Sequence, residues 1–147
     1  MTLRLETFLP YRLAVAADAV SQGLAAVYAA RFAITIPEWR LIANLGHHGA
    51  LTAGEVAAHS SLDKVQVSRA VARLQRRRLV SRRVDTHDKR RAHLTLTVAG
   101  RRLFSDIAAL ALAWERDLLA GLPAAERAAL DAALTRLTDE ANRRREK

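Results

Sequence analysis

Apolar residues recur at three- and four-residue spacing over much of the chain, which is the period of an amphipathic helix. An alanine-rich segment from about residue 10 to residue 32 predicts one long helix. Its apolar stripe consists of Leu13, Val20, Leu24 and Val27. A second helix is predicted after Thr35, a candidate N-cap, with Pro37 in its first turn and Gly46 and Gly49 interrupting it.

Two further helix starts share one capping pattern. Thr52 is followed three residues later by Glu55, and Asp63 is followed three residues later by Gln66. Each pair predicts a capping box, and the apolar residues on either side predict a hydrophobic staple across each cap. A helix of about eight residues, a short turn and a longer helix have the spacing of a helix-turn-helix motif.

The second helix of that motif, residues 63–78, has two different faces when it is wound at about 100° per residue. The buried face is predicted to contain Val67, Ala70, Val71 and Leu74. The opposite face and its flanks contain Val65, Gln66, Ser68, Arg69, Arg73 and Arg76. The helix therefore packs on a core and presents a basic surface.

Period-two alternation follows directly and predicts a β-hairpin. One strand alternates Val80 and Val84 with polar residues, and the other alternates Leu94 and Leu96 with polar residues, joined by residues 85–91. Thr97 then caps a helix of roughly 24 residues, and a last helix begins near residue 124. The apolar stripes of these two helices are Leu103, Ile107, Leu110, Trp114 and Leu118, and Leu130, Leu134, Leu137 and Ala141.

Composition and charge narrow the classes of function. The 147 residues suffice for about one domain with a core. Of the net charge of +9, residues 64–102 contribute +11 because thirteen Lys and Arg stand there against two aspartates. This asymmetry indicates a surface that meets a polyanion. The absence of cysteine excludes thiol chemistry and disulfides, and no segment is judged to reach signal-peptide or membrane-spanning length, which predicts a cytoplasmic protein.

The order of these elements resembles the MarR (multiple antibiotic resistance regulator) family of winged helix-turn-helix regulators. The wing signature of that family, D-x-R-x-x-x-L-x-L-T, is matched by Asp88, Arg90, Leu94, Leu96 and Thr97. The segments IPEWRLIANL, LTAGEVA and LDKVQVSRAVARLQRR are also similar to the family. The likeness therefore extends over nearly the whole chain.

The resemblance implies a mainly α fold with a small β-hairpin wing, in one domain over residues 1–147. A DNA-binding lobe is expected at about 36–97, and dimerisation helices at about 8–32 and 98–145. It also implies a homodimer whose recognition helices enter the DNA major groove and whose wings enter the minor groove. Arg78 stands where many members have a glycine, which leaves the helix end and the wing angle open.

DNA contacts are predicted on the recognition helix and on the wing. Arg69, Arg73 and Arg76 can bind guanine or phosphate, Lys64 and Ser68 lie near phosphates or bases, and Val65 can contact a thymine methyl group. Gln66 has two alternatives, because a side chain that closes a capping box cannot also bind adenine. Val65, the arginines and the wing residues each have the simpler interpretation of a solvated surface.

On the wing, Arg90 is predicted to enter an A/T-rich minor groove, and Asp88 is predicted to hold its guanidinium extended. Lys89 and Arg91 are assigned to phosphates, and Arg82 and Arg83 either join them or are ordinary polar strand residues. The alternative for Asp88 and Arg90 is a surface ion pair worth at most about 1 kcal/mol.

Effectors of this family are often small phenolic or aromatic carboxylates, and six residues could line a cleft for one. They are Tyr11, Arg12, Tyr28, Trp39, Arg40 and His47. Aromatic residues at helical spacing are more often core residues. The five histidines show no chelating spacing, so no metal ligand and no cofactor are predicted, although a metal sensor stays open as an alternative.

The resulting hypothesis is a ligand-responsive, dimeric DNA-binding repressor with no enzymatic activity. Its predicted partners are double-stranded DNA with a pseudo-palindromic operator, a second copy of the chain and a small-molecule effector, but no membrane. The competing hypothesis is an architectural protein that binds DNA without sequence preference. Sequence motifs of hydrolases, metalloproteases and nucleotide-binding enzymes are absent.

Overall fold

The computed structural model describes residues 2–146. It contains six helices and a three-stranded sheet in this part of the chain, in agreement with the predicted mainly α class. The chain divides into two compact units, residues 1–111 and 112–147. The elements are α1 (Leu9–Phe32), α2 (Ile36–His48), β1 (Leu51–Thr52), α3 (Ala53–Ser60), α4 (Lys64–Arg76), β2 (Val80–Val84), β3 (Ala92–Leu96), α5 (Val98–Leu118) and α6 (Ala124–Arg145).

Helix α1 is buried only near its C-terminal end. Ala25 and Tyr28 are buried, whereas Leu13 and Val20, which share the predicted stripe, are exposed in the first unit. Ala33 ends the helix in the left-handed conformation with φ of 52°. The N-terminal part of the stripe therefore has no partner within this unit.

The length and apolar composition of α1 would allow it to cross a membrane, and among residues 2–146 it alone meets both conditions. The expectation that no segment reaches a spanning length is wrong by this measure. The reason is that α1 is rich in alanine and that its charged residues, Arg12, Asp18 and Arg31, are widely spaced. They leave a long segment that is apolar on average.

Helix α2 begins with a complete capping box. The Glu38 backbone N–H donates to Thr35 Oγ1 at 3.3 Å, and the Thr35 backbone N–H donates to Glu38 Oε2 at 2.9 Å. The prediction that Gly46 interrupts this helix is wrong, because α2 continues to His48. A Cβ atom at Gly46 would lie 2.7 Å from the Phe104 ring, so glycine lets α5 approach α2 closely.

The helix-turn-helix motif forms as the capping pattern predicts. Both capping boxes are closed, at Thr52 with Glu55 and at Asp63 with Gln66. The predicted staple residues Leu51, Val56, Leu62 and Val67 are all buried. Helix α4 buries Val67, Ala70 and Leu74 and half-buries Val71, so its predicted core face is confirmed.

The wing is one strand larger than the predicted hairpin. The strand order is β1-β3-β2, and both pairings are antiparallel. Leu51 of β1 pairs with Leu94, which explains why Leu94 and Leu96 are buried. The predicted inward position of Val84 is wrong: only Val80 of β2 is buried, because the strand extends beyond the core toward the wing tip.

The end of α4 and the start of α5 meet beside the wing. Gly100 N–H donates to Thr97 Oγ1 at 3.0 Å, which confirms Thr97 as the cap of α5. Arg78 adopts φ of 56°, and Leu79 N–H donates to the Leu74 carbonyl, as at a helix end closed by glycine. Arg78 therefore adopts the usual helix-end geometry, although the left-handed conformation is strained for a residue with a side chain.

The second unit contains the end of α5 and all of α6. No residue of α6 is buried, and its apolar stripe is exposed along the helix. The exposed members are Leu130, Leu134 and Leu137. This stripe is unpartnered within the unit.

Candidate nucleic-acid interface

A cleft of about 720 Å³ lies between the helix-turn-helix motif and the wing. Side chains of α3, α4, β2 and the wing turn form its walls. Its cationic lining residues are Lys64, Arg82, Arg90 and Arg91, and its polar ones are Thr52, Ser68 and Gln75. Within the described part of the chain no carboxylate lines it. The cleft therefore concentrates positive potential where a polyanion can enter.

The outer face of α4 is open to solvent. Val65 is 57% exposed although it is apolar. Lys64, Ser68, Arg69 and Arg76 are also exposed, so all of them are accessible to a ligand.

Gln66 is engaged in the cap of α4. Its Oε1 atom accepts a hydrogen bond from the Asp63 backbone N–H at 3.1 Å, and its own backbone N–H donates to Asp63 Oδ1 at 2.8 Å. Of the two alternatives for Gln66, the structure shows the capping box. The bidentate adenine contact is not available in this conformation, because that contact requires the same oxygen.

Arg73 has a partner that the sequence did not reveal. Its Nε atom lies 2.8 Å from Oε1 of Glu38, a carboxylate that is 1% exposed. The Nε–H does not point along this line, so the contact is an ion pair rather than an aligned hydrogen bond. The Arg73 side chain is still 53% exposed. Arg73 thus connects α4 to α2 and can also present part of its guanidinium outward.

The wing turn is organised by its two aspartates. Asp85 Oδ1 accepts from the His87 backbone N–H at 2.8 Å, and this hydrogen bond, opposed by desolvation and aided by nearby cations, lowers the pKa of Asp85. Asp88 Oδ1 accepts from the Arg90 backbone N–H at 3.0 Å and lies 3.5 Å from Arg90 Nε. The Arg90 side chain is 94% exposed, so Asp88 holds a cation that extends into solvent.

Other residues of the interface were not assigned a DNA contact from sequence. Thr52 and Gln75 line the cleft, and of the two arginines left open on β2, Arg82 lines it. Strand alternation could have separated Arg82 from Arg83, because successive residues of a strand face opposite sides. Lys89 is exposed on the wing turn.

Three of the six predicted effector-site residues come together at the junction of α1 and α2. The Tyr28 and Trp39 ring centroids are 5.7 Å apart, and Arg40 Nη2 donates to Ser21 Oγ at 3.1 Å. Burial raises the pKa of the Tyr28 phenol, and the positive charge of Arg40 partly opposes this. Phe104, which the sequence analysis did not select, stacks on Trp39 at 6.2 Å.

The other three predicted residues lie elsewhere. Tyr11 and Arg12 are exposed near the start of α1, roughly 25 Å from Tyr28 at the helical rise per residue. His47 is exposed, and its ring packs against that of His48. The six residues therefore do not line one cleft within a single chain, because α1 is too long to bring both its ends to one site.

Three of the five histidines, His47, His48 and His59, form a cluster that local spacing did not predict. The His48 and His59 rings stack at 4.5 Å, across the ends of α2 and α3. Desolvation and the neighbouring imidazoles lower the pKa of His48. Residues 2–146 contain no group of three or more metal-ligating side chains.

The winged lobe is similar to a known protein family. Residues 34–91 match the family model described as MarR family. The resemblance to the MarR family is confirmed. The matched residues contain α2, the helix-turn-helix motif, β2 and the wing turn with Asp88 and Arg90, and they end before β3. MarR family members are transcriptional regulators rather than enzymes. No curated protein matches the sequence.

Solved structures extend the likeness to the whole MarR fold. The MarR family regulator SPO1453 from Silicibacter pomeroyi DSS-3 is 26% identical, with a TM-score of 0.82 over 95% of this chain and 99% of that one. BpsR of Bordetella bronchiseptica, whose DNA binding is regulated by 6-hydroxynicotinic acid, is 23% identical with a TM-score of 0.79 over 88% and 98%. MepR of S. aureus, solved with DNA, is 23% identical with a TM-score of 0.79 over 91% and 98%.

Proposed function

We propose that this MarR protein is a dimeric, sequence-specific DNA-binding regulator, and specifically a repressor that a small aromatic or phenolic effector releases from DNA. The cationic cleft between α4 and the wing is the observation that carries the proposal. Its four cations and the exposed face of α4 form one continuous basic surface on the first unit. A DNA backbone neutralises such a surface and releases counterions on binding.

Different contacts of this surface would serve different purposes. Lys64, Arg82 and Arg91 line the cleft, which suits phosphates, because phosphate contacts fix the register of a protein on DNA. Arg69, Arg76 and Val65 project from the exposed face of α4, which suits base edges in a major groove. Arg90 extends from the wing turn and suits the adjacent minor groove. MepR, which has the same fold, was solved in complex with DNA, and this supports DNA as the partner.

Homodimerisation is proposed from the exposed apolar surface of the long helices. Leu9 and Leu13 of α1 and Leu130, Leu134 and Leu137 of α6 are all more than a third exposed. Each helix thus carries an exposed apolar stripe in its own unit, and such a stripe marks an interface in a soluble protein. We assign it to a second copy of the chain rather than to a membrane, which is consistent with a cytoplasmic DNA-binding protein.

An effector site is proposed at the aromatic group of Tyr28, Trp39 and Phe104. Arg40 lies beside this group and supplies the positive charge that a small carboxylate or phenolate requires. The regulation of BpsR by 6-hydroxynicotinic acid supports an aromatic acid as the class of effector. Such a ligand would act by favouring a different spacing of the two recognition helices.

The test is a competition for DNA. The promoter fragment upstream of the coding sequence and a random duplex of the same length and base composition are titrated with the protein at several salt concentrations. A preference of at least about 10³-fold for the promoter supports a sequence-specific regulator. A ratio near one would instead favour the architectural DNA-binding protein, and no binding at either salt extreme would reject both.

A further inference from the structure

The C-terminal end of α4 is attached to the C-terminal end of α1 by one side chain. Arg77 Nη1 donates to the Ala33 carbonyl at 2.7 Å, and Arg77 Nη2 donates to the Phe32 carbonyl at 2.9 Å. The two helices are 44 and 45 residues apart in sequence at these contacts. Across the residues that the structure covers, these are the side-chain hydrogen bonds that join α4 or its cap to α1.

The acceptors are suited to a guanidinium. The last carbonyls of a helix have no partner within the helix, and they carry the negative end of its dipole. Phe32 is the last residue of α1, and Ala33 turns away in the left-handed conformation, so both carbonyls are open at the helix end. A planar fork with two parallel N–H groups can satisfy both at once, whereas a lysine amine cannot do so with the same geometry.

The same end of α4 is fixed on its other side. Thr97 Oγ1 donates to the Arg78 carbonyl at 2.7 Å, and the Thr97 backbone N–H donates to the Leu79 carbonyl at 3.1 Å. Thr97 is also the cap of α5. The end of the recognition helix is therefore a junction at which α1 and α5 both attach.

Arg77 differs in this respect from its neighbours on α4. Arg69 and Arg76 make no side-chain hydrogen bond or ion pair among residues 2–146, and Arg73 contacts α2 rather than α1. Arg77 belongs to the same basic run, RRR at 76–78, and sequence alone gives no reason to separate it from a phosphate contact.

We propose that Arg77 is a positioning residue, which fixes the recognition helix to the end of α1 and does not contact DNA. The inference rests on the proposed function, because Arg77 would hold α4 in the position that DNA binding requires. A shift of the α1 end is transmitted to α4 through this fork, so α1 and the DNA-reading surface move together. Removal of the fork leaves the phosphate-binding charges in place but loosens the position of α4.

Two measurements on the full-length protein test this with Arg77→Ala, Arg77→Lys and the control Arg136→Ala, which removes an exposed arginine of α6. The first is amide hydrogen exchange of the last turn of α1 without DNA. Arg77→Ala is expected to accelerate the exchange of these amides by about fivefold. Loss of the hydrogen bonds from Arg77 lowers the free energy of local opening at the end of α1, and the exchange rate rises with the open population. The control is expected to leave it unchanged, and Arg77→Lys is expected to exchange nearly as fast as Arg77→Ala.

The second measurement is the affinity for promoter DNA as a function of salt. Arg77→Ala is expected to weaken binding by about five- to tenfold while the slope of log affinity against log salt stays equal to that of the unmodified protein. A slope shallower by about 0.9 would mean that Arg77 neutralises a phosphate, and the proposal would be wrong. Unchanged exchange in α1, or full recovery by Arg77→Lys, would also overturn it.

The exchange experiment separates this inference from the proposed function. If the unmodified protein shows no preference for its promoter, the proposed function fails. The fork between Arg77 and α1 is then confirmed or rejected by the exchange data alone, because these require no DNA.

Discussion

Glu38 Oε1 lies 2.8 Å from Arg73 Nε, and Glu38 Oε2 accepts the Thr35 backbone N–H at 2.9 Å. One buried carboxylate thus closes the cap of α2 and pairs with an arginine of the recognition helix. Such a buried charge is tolerated only when it is paired and hydrogen-bonded. Part of the basic surface of α4 is therefore required to keep the fold stable.

Arg73→Ala is expected to destabilise the protein by about 1–2 kcal/mol, since Glu38 would stay buried without its cation. This figure is below the roughly 3–5 kcal/mol for breaking a fully buried ion pair, because Arg73 is half-exposed. Arg69→Ala removes the same side chain from a solvated position of the same helix, and we expect its effect to stay within about 0.5 kcal/mol. Urea unfolding of both variants measures the difference. Equal stabilities would show that the ion pair contributes nothing.

Arg90→Ala is expected to weaken promoter binding and to make the slope of log affinity against log salt shallower, by about 0.9 if one phosphate-equivalent charge is lost. The reason is that the Arg90 side chain extends from the wing and is 94% exposed, so its charge is accessible to DNA. Fluorescence anisotropy titrations between low and physiological salt measure both quantities. If affinity and slope match those of the unmodified protein, Arg90 is an ordinary surface cation.

Arg78→Gly is expected to stabilise the protein by about 1 kcal/mol. Arg78 has φ of 56°, a conformation that costs an L-residue about 1–2 kcal/mol and that glycine adopts freely, and the added flexibility of the unfolded chain offsets part of the gain. Ala72→Gly, in the interior of α4, is the control and should cost about 1 kcal/mol. Thermal unfolding compares the two. A loss of stability in Arg78→Gly would show that the arginine side chain contributes more than the backbone strain costs.

Glu55→Gln is expected to lower stability at neutral pH and to have no effect in acid. The hydrogen bond from the Thr52 backbone lowers the pKa of the Glu55 carboxyl below its ordinary value. A lowered pKa contributes stability that is present above the ordinary value and is lost as the pH falls through the lowered one. The difference between the two proteins should therefore shrink between about pH 6 and pH 3. Glu115→Gln, at an exposed position of α5, is the control, and a difference that does not vary with pH would contradict the prediction.

Leu134→Glu is expected to convert the proposed homodimer into a monomer, because it places a charge in the exposed apolar stripe of α6. Arg136→Glu introduces the same group on a neighbouring face of the helix and should leave the dimer intact. Sedimentation velocity at micromolar concentration distinguishes the two states. If both variants are dimeric, α6 lies outside the dimer interface. If the unmodified protein is already a monomer, the proposed homodimer is wrong.

The helices and the motif could be predicted because their signals are local. Capping pairs such as Thr52 with Glu55 lie three residues apart, and the core face of α4 repeats every three or four residues. The wing residues Leu94 and Leu96 alternate within one strand. None of these inferences requires knowledge of which distant segments come together.

What the sequence did not predict depends on such distant contacts. Strand β1 is only two residues long, which is too short to show an alternation of apolar and polar residues. It is recognisable as a strand only from its pairing with β3. The Glu38 partner of Arg73 and the α1 carbonyls bound by Arg77 are 35 or more residues away in sequence. Gly46 lies inside α2, where the Phe104 ring leaves no room for a Cβ atom, and this contact with α5 could not be anticipated from α2 alone.

Among residues 2–146 the cleft is lined by four cations and no carboxylate, and this has a consequence for handling the protein. We expect a cleft lined by four cations to attract polyanions at low ionic strength, so protein released from a cell lysate should carry nucleic acid fragments with it. Such fragments occupy the surface on which the promoter would bind and reduce the apparent active fraction. A high-salt wash and a check of the absorbance ratio at two wavelengths therefore belong before every titration.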